Sequence, residues 1–115
     1  MKLKFEGKEF KVETEDSGLL REIEKQLPLH FRMRNNGNVE YVHELPVKPV
    51  NDARQISLTK TDGVYYYEGW NVLCLNYAAN DISPYTVSYI GTVKDPAYTE
   101  LLKQAGNNID VTVEK

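Results

Sequence analysis

Cysteine, histidine and methionine are scarce in this chain of 115 residues: one Cys, two His and two Met. With Cys74 alone no internal disulfide forms, and its place in the apolar run Val72-Leu73-Cys74-Leu75 marks a buried, inert thiol rather than a nucleophile. His30 and His43 fall on opposite faces of their strands by parity, so they do not share a metal, and no metal or cofactor is expected. No apolar run approaches the roughly 20 residues that span a bilayer. Met1 to Phe5 alternates instead of forming a signal-peptide core, which points to a cytoplasmic protein with no membrane association. A basic run with interleaved aromatics is also missing, and with a net charge of −3 this leaves no footprint for nucleic acid. Glu22, Glu24, Asp52 and Asp62 are scattered over a helix face and loops, so no carboxylate pair is built for acid–base work.

What is present is alternation, turns and tyrosine. The chain is long enough to bury a core as a single domain, residues 1–115. Leu3 and Phe5, then Phe10 and Val12, alternate with charged residues around Gly7-Lys8. A type II′ turn there pairs Phe5 with Phe10 and Leu3 with Val12. From Asp16 or Ser17 as N-cap, Leu19, Leu20, Ile23 and Leu27 form one helical stripe that Pro28 ends, predicting a helix over about 17–27. Residues 29–45 read as a second hairpin, in which parity favours a three-residue loop, Asn36-Gly37-Asn38. That register pairs Met33 with Tyr41, Phe31 with His43, Arg34 with Glu40 and His30 with Glu44.

The segment Val47-Lys48-Pro49-Val50 is a connection or an edge. Ile56 and Leu58 then alternate weakly with polar neighbours. The stretch from Asp62 to Val93 holds most of the aromatics: two strands joined through Glu68-Gly69-Trp70, and a third in which Val87, Tyr89 and Val93 mark one face. The second of these strands, to Tyr77, is apolar on both faces, as expected with a barrel interior on one side and a helix on the other. Asp95 as N-cap, Pro96 at the first helical position and Gly106 as the stop bracket a helix over about 96–105, with Tyr98, Leu101, Leu102 and Ala105 on its apolar face. Ile109, Val111 and Val113 form a closing strand. The fold class is mainly β: a closed antiparallel barrel of about eight strands with two short capping helices.

In this order of elements, the segments Asp62-Gly63-Val64-Tyr65-Tyr66, Trp70-Asn71-Val72-Leu73 and Ile90-Gly91-Thr92-Val93, followed by a helix opened by Asp95-Pro96, resemble the bacterial cyclophilin-like proteins over nearly the whole chain. The resemblance implies a cyclophilin-type barrel closed by two helices; it implies much less about activity, because fold alone does not set function. True cyclophilins isomerise Xaa-Pro bonds with a Phe-His-Arg run followed by Phe and by Gln-Gly-Gly. This chain has Leu29-His30-Phe31-Arg32-Met33, out of that order, and no Gln-Gly pair follows. Arg32 is therefore the one catalytic candidate, and an outer-face charge near Glu40 and Glu44 is the plainer reading of Arg32 and Arg34.

The aromatic set offers a recognition surface, because aromatic rings with polar tips suit both packing and ligand contact. Tyr66, Trp70 and Tyr85 are the candidate ligand-binding residues, beside the polar loop from Ala78 to Tyr85. The expected function is a non-catalytic module that binds a peptide or small molecule. The alternatives are a weak peptidyl-prolyl isomerase using Arg32 and a structural barrel whose aromatic patch is an oligomer interface.

Overall fold

Alternation in the N-terminal segment produces one long bent strand pair. In the computed structural model, which describes residues 1–115, β1 (Lys2–Phe5) pairs with β2 (Lys8–Lys11), and β3 (Glu13–Thr14) continues β2 beyond Val12. The turn is Glu6-Gly7, not Gly7-Lys8. Both residues are left-handed, with φ of 52° and 72°, the type I′ geometry whose twist matches the flanking strands. Leu3 therefore faces Phe10, and Phe5 faces Lys8. The slip from the expected register is two residues, so Leu3, Phe5 and Phe10 keep the inward face. The Phe5 and Phe10 rings still meet, with centroids 5.1 Å apart.

Helix α1 (Gly18–Glu24) starts at Ser17, whose Oγ accepts from the Leu20 amide at 3.0 Å. Asp52, distant in sequence, accepts from the Gly18 and Leu19 amides at 3.1 and 2.9 Å, satisfying two more free donors of the first turn. The helix is shorter than 17–27. Gln26 and Leu27 instead bond to the carbonyls of Ile23 and Glu24, because Pro28 disfavours helical backbone in the residue before it.

Strands β4 (Leu29–Asn36) and β5 (Glu40–Glu44) form the second hairpin. Its loop has three residues as expected, but they are Gly37, Asn38 and Val39; Gly37 and Asn38 are left-handed, at φ 63° and 58°. Asn36 thus faces Glu40, and Arg34 faces Val42. The expected polar pairs separate accordingly, whereas the Phe31 and His43 rings still stack. Arg34 reaches Glu44 at 3.2 Å, and His30 lies 3.0 Å from Thr112 Oγ1. The proline-bearing connection carries no strand until β6 (Gln55–Ile56) and β7 (Leu58–Thr59). In β7 Thr59 is buried and Leu58 exposed, the reverse of the expected faces.

Next come β8 (Gly63–Tyr67), a 3-10 turn (Glu68–Trp70), β9 (Val72–Asn76), β10 (Asn80–Asp81) and β11 (Val87–Thr92), then α2 (Pro96–Gln104) and β12 (Asn108–Glu114). Helix α2 opens as expected, with Asp95 Oδ1 accepting from the Ala97 amide at 3.0 Å. The main sheet runs β2-β1-β12-β4-β5-β9-β8-β11-β3. Because β2 and β3 are one bent strand, the sheet closes on itself as an antiparallel barrel of eight strands. Inward residues of every barrel strand, with Leu19, Leu20 and Ile23 of α1 and Tyr98 and Leu102 of α2, form one core.

A bulge interrupts β11 between Tyr89 and Gly91. It overturns the expectation that Val87, Tyr89 and Val93 share a face: Val87 and Tyr89 belong to the outer wall, while Ile90 and Val93 enter the core. At Gly91 the closing strand comes close. A Cβ there would lie 2.5 Å from the Glu13 carbonyl and 2.7 Å from Val12 Cγ1. Gly91→Ala is therefore expected to destabilise the protein by roughly 1–3 kcal/mol, read from urea denaturation midpoints. A midpoint equal to wild type would show that the β3–β11 seam is not tightly packed.

Candidate functional site

Closure gives each strand an inner and an outer face, and the outer faces differ around the barrel. On β4 and β12 the outer wall is charged: Arg32 pairs with Asp110 at 3.1 Å, and both side chains are exposed. On β5, β9, β8 and β11 it is apolar. Val42, Tyr65, Val72, Cys74 and Val87 form a second buried cluster there, distinct from the barrel core. Its cover is not the helix expected over β9. Ile56 of β6 and Ile82, in the turn after β10, pack on it instead. Strands β7 and β10 make a small two-stranded flap, with Asn80 opposite Thr59 and Asp81 opposite Leu58.

The flap is well tied. The Ile82 amide donates to the Ser57 carbonyl at 2.9 Å, Thr59 Oγ1 donates to the Asn80 carbonyl at 3.2 Å, and the Ser83 amide donates to Asp81 Oδ1 at 3.0 Å. Hydrogen bonds from Ser83, from its hydroxyl and then its amide, hold the Asp81 pKa below the usual carboxylate value.

Between flap and wall lies a pocket of about 190 Å³. Its floor is β9, with Val72, Cys74 and Asn76; Val87 and Ile82 line its apolar side, and Tyr67, Trp70 and Tyr85 its aromatic edge. Trp70 is 53% exposed and Tyr85 66%. Trp70 stands edge-on to Tyr67 with centroids 5.4 Å apart, at 82°.

At one end a polar row crosses three strands, with Asn36 opposite Glu40 and Glu40 opposite Asn76. Asn36 Nδ2 donates to Glu40 Oε2 at 2.9 Å. Asn76 is 1% exposed, and its Oδ1 has no hydrogen-bond partner. Burial raises the pKa of Glu40 above the ordinary carboxylate value, against the opposing hydrogen bonds of Asn36 and then Cys74. Burial also pushes the Cys74 thiol well up, and the neighbouring Glu40 adds to it, so Cys74 is a protonated, inert floor residue.

The structure brings together two of the three sequence-derived ligand candidates, Trp70 and Tyr85, and separates the third. Tyr66 is fully buried in the barrel core, where its hydroxyl donates to Asn71 Oδ1 at 2.7 Å. Parity puts Tyr67 at the pocket instead. Arg32 lies away from this pocket, on the charged wall. His43 is half-buried and stacks on Phe31 at 4.3 Å, with its Nδ1 2.8 Å from the Glu44 carbonyl oxygen. Sequence reading missed Glu40 and Asn76. The available signal was polarity at the end of the doubly apolar strand Val72–Asn76, but only strand order sets Glu40 beside it.

Because burial raises the folded-state pKa of Glu40, the folded chain binds more protons than the unfolded one between the two values. The stability that goes with the neutral acid is thus present at low pH and lost as pH rises through the raised pKa. Glu40→Gln, neutral throughout, is expected to match wild type near about pH 4 and to melt about 2–4 °C higher at neutral pH. A mutant that melts lower at neutral pH would show that the carboxylate has a compensating partner.

A protein-family model described as the cyclophilin-like family matches residues 3–114. No curated protein and no solved structure matches the chain.

Proposed function

The chain belongs to the cyclophilin-like family, and from that premise we propose that it is a non-catalytic binding module whose outer-wall pocket beside Trp70 holds a small ligand. The observation that carries this reading is the buried, unpartnered Oδ1 of Asn76 at the polar end of a mainly apolar pocket. Leaving such an acceptor unsatisfied costs about 1–3 kcal/mol, and a bound donor would recover it. Around it are the features of small-molecule sites: apolar lining, exposed aromatics at the mouth and few polar groups. The volume of about 190 Å³ is slightly above that of an engineered cavity, ~150 Å³, that takes up benzene, so the occupant is ring-sized.

The alternative, a peptidyl-prolyl isomerase built on Arg32, draws no support from this arrangement. Catalysis would require a cation against the prolyl nitrogen within an apolar pocket. Arg32 is committed to Asp110 on another part of the wall, and no lysine or arginine lines the pocket.

Trp70 is the chain's single tryptophan, so its fluorescence and indole N–H signal report directly on the pocket mouth. Titration with benzyl alcohol is expected to shift the Trp70 indole signal and the amides of Val72, Asn76 and Ile82 saturably, with Kd on the order of 1 mM. Val87→Trp, which fills the pocket, is expected to abolish the response. Shifts confined to other faces, or none that saturate, would overturn the reading.

A further inference from the structure

The polar end of the pocket is built from acceptors. Glu40 accepts from Asn36 and lies within hydrogen-bond reach of the Cys74 thiol, both neutral groups, and Asn76 contributes an unpartnered buried oxygen at the adjoining register position. Side chains directly opposite one another on antiparallel strands have Cβ atoms about 4.5–5.5 Å apart, close enough for one ligand group to reach both.

No positive charge balances the carboxylate. Arg34, two residues before Asn36 on β4, is paired with Glu44 at 3.2 Å, and Arg32 with Asp110 at 3.1 Å. A half-buried carboxylate without a cationic partner is unusual, because buried charges are ordinarily paired. Burial raises the pKa of Glu40, and no cation opposes that rise. At the other end, the rings of Tyr67, Trp70 and Tyr85 supply faces that attract cations and repel anions.

Resting on the binding-module reading, we infer that the ligand is a small organic cation: a protonated primary amine on a ring-sized apolar body, its ammonium held by Glu40 and Asn76 and its body among Val72, Ile82, Val87 and the aromatic rim. An ammonium carries three donors and no acceptor, matching a site that offers acceptors.

The probes are benzylamine, benzyl alcohol and benzoate, equal in ring size and different in charge, titrated at neutral pH into the full chain and read on the Trp70 indole signal. Benzylamine is expected to bind about tenfold tighter than benzyl alcohol, as one charge-assisted hydrogen bond provides, and benzoate weakest. In Glu40→Gln the preference for the amine over benzyl alcohol is expected to vanish, and a saturable benzyl alcohol response at whatever affinity reports that the pocket is intact. In Asn76→Asp, a second carboxylate in the same row, the preference for amine over benzoate is expected to widen. Equal or tighter binding of the alcohol or of benzoate in wild type would overturn the cation inference and leave the binding module standing. A response to none of the three would overturn both.

Discussion

The seam at which β3 meets β11 is the constraint from which the rest of the molecule follows. The chain bends at Val12 so that one strand pairs with β1 on one side and with β11 on the other, and Gly91 lets the two backbones approach. Once closed, the sheet has no long free edge, and every strand must send alternate side chains inward. The bulge before Gly91 changes which residues of β11 face inward so that Ile90 and Val93 both reach the core. Without closure, Tyr66 and Tyr67 would simply be two tyrosines on a sheet; with it, one is core and the other lines a pocket.

The barrel interior and the two helices share one core of large buried side chains. Tyr41 illustrates the economy of the core: its buried hydroxyl donates to the carbonyls at the end of α2, Leu102 at 3.2 Å and Gly106 at 2.6 Å. The Leu102 carbonyl, which also accepts from the Ala105 amide, and the Gly106 carbonyl beyond the helix thus gain a partner from inside the barrel. On the outer wall, the flap of β7 and β10 arches over an apolar patch.

The outer wall is divided by chemistry. Around β1, β4 and β12 it carries exposed ion pairs, Lys4 with Glu114, Arg32 with Asp110 and Arg34 with Glu44, each worth little in water, about 0–1 kcal/mol. Around β5, β9 and β8 it carries apolar side chains and a row of amide and carboxylate groups. Polar groups in that position lower stability unless something binds them. The barrel tolerates them because closure and the core are supplied elsewhere, the usual division between scaffold and site.

The fold was largely legible in the sequence because its signals are local. Period-two alternation, the Asp95-Pro96 helix start, the Gly106 stop and the Trp70 turn each depend on neighbours a few residues away. Both hairpins were misplaced only by even slips, which leave the buried face unchanged, so the inward residues survived an error in the exact turn. The aromatic rim was half legible: exposure of Trp70 and Tyr85 follows from their place in a turn and a loop, whereas the choice between Tyr66 and Tyr67 needs the inside of the barrel to be known. Glu40 and Asn76 were not legible as a pair. Their proximity comes from β5 lying beside β9, a contact between segments distant along the chain that no local periodicity encodes. The sequence by itself determined most of the elements, the inward faces of the two hairpins and of the closing strand, and the β class, because alternation and caps act at short range. Which strands became neighbours, which face of β9 received a flap instead of a helix, and hence where the outer-wall pocket lies, were decided only when the sheet closed.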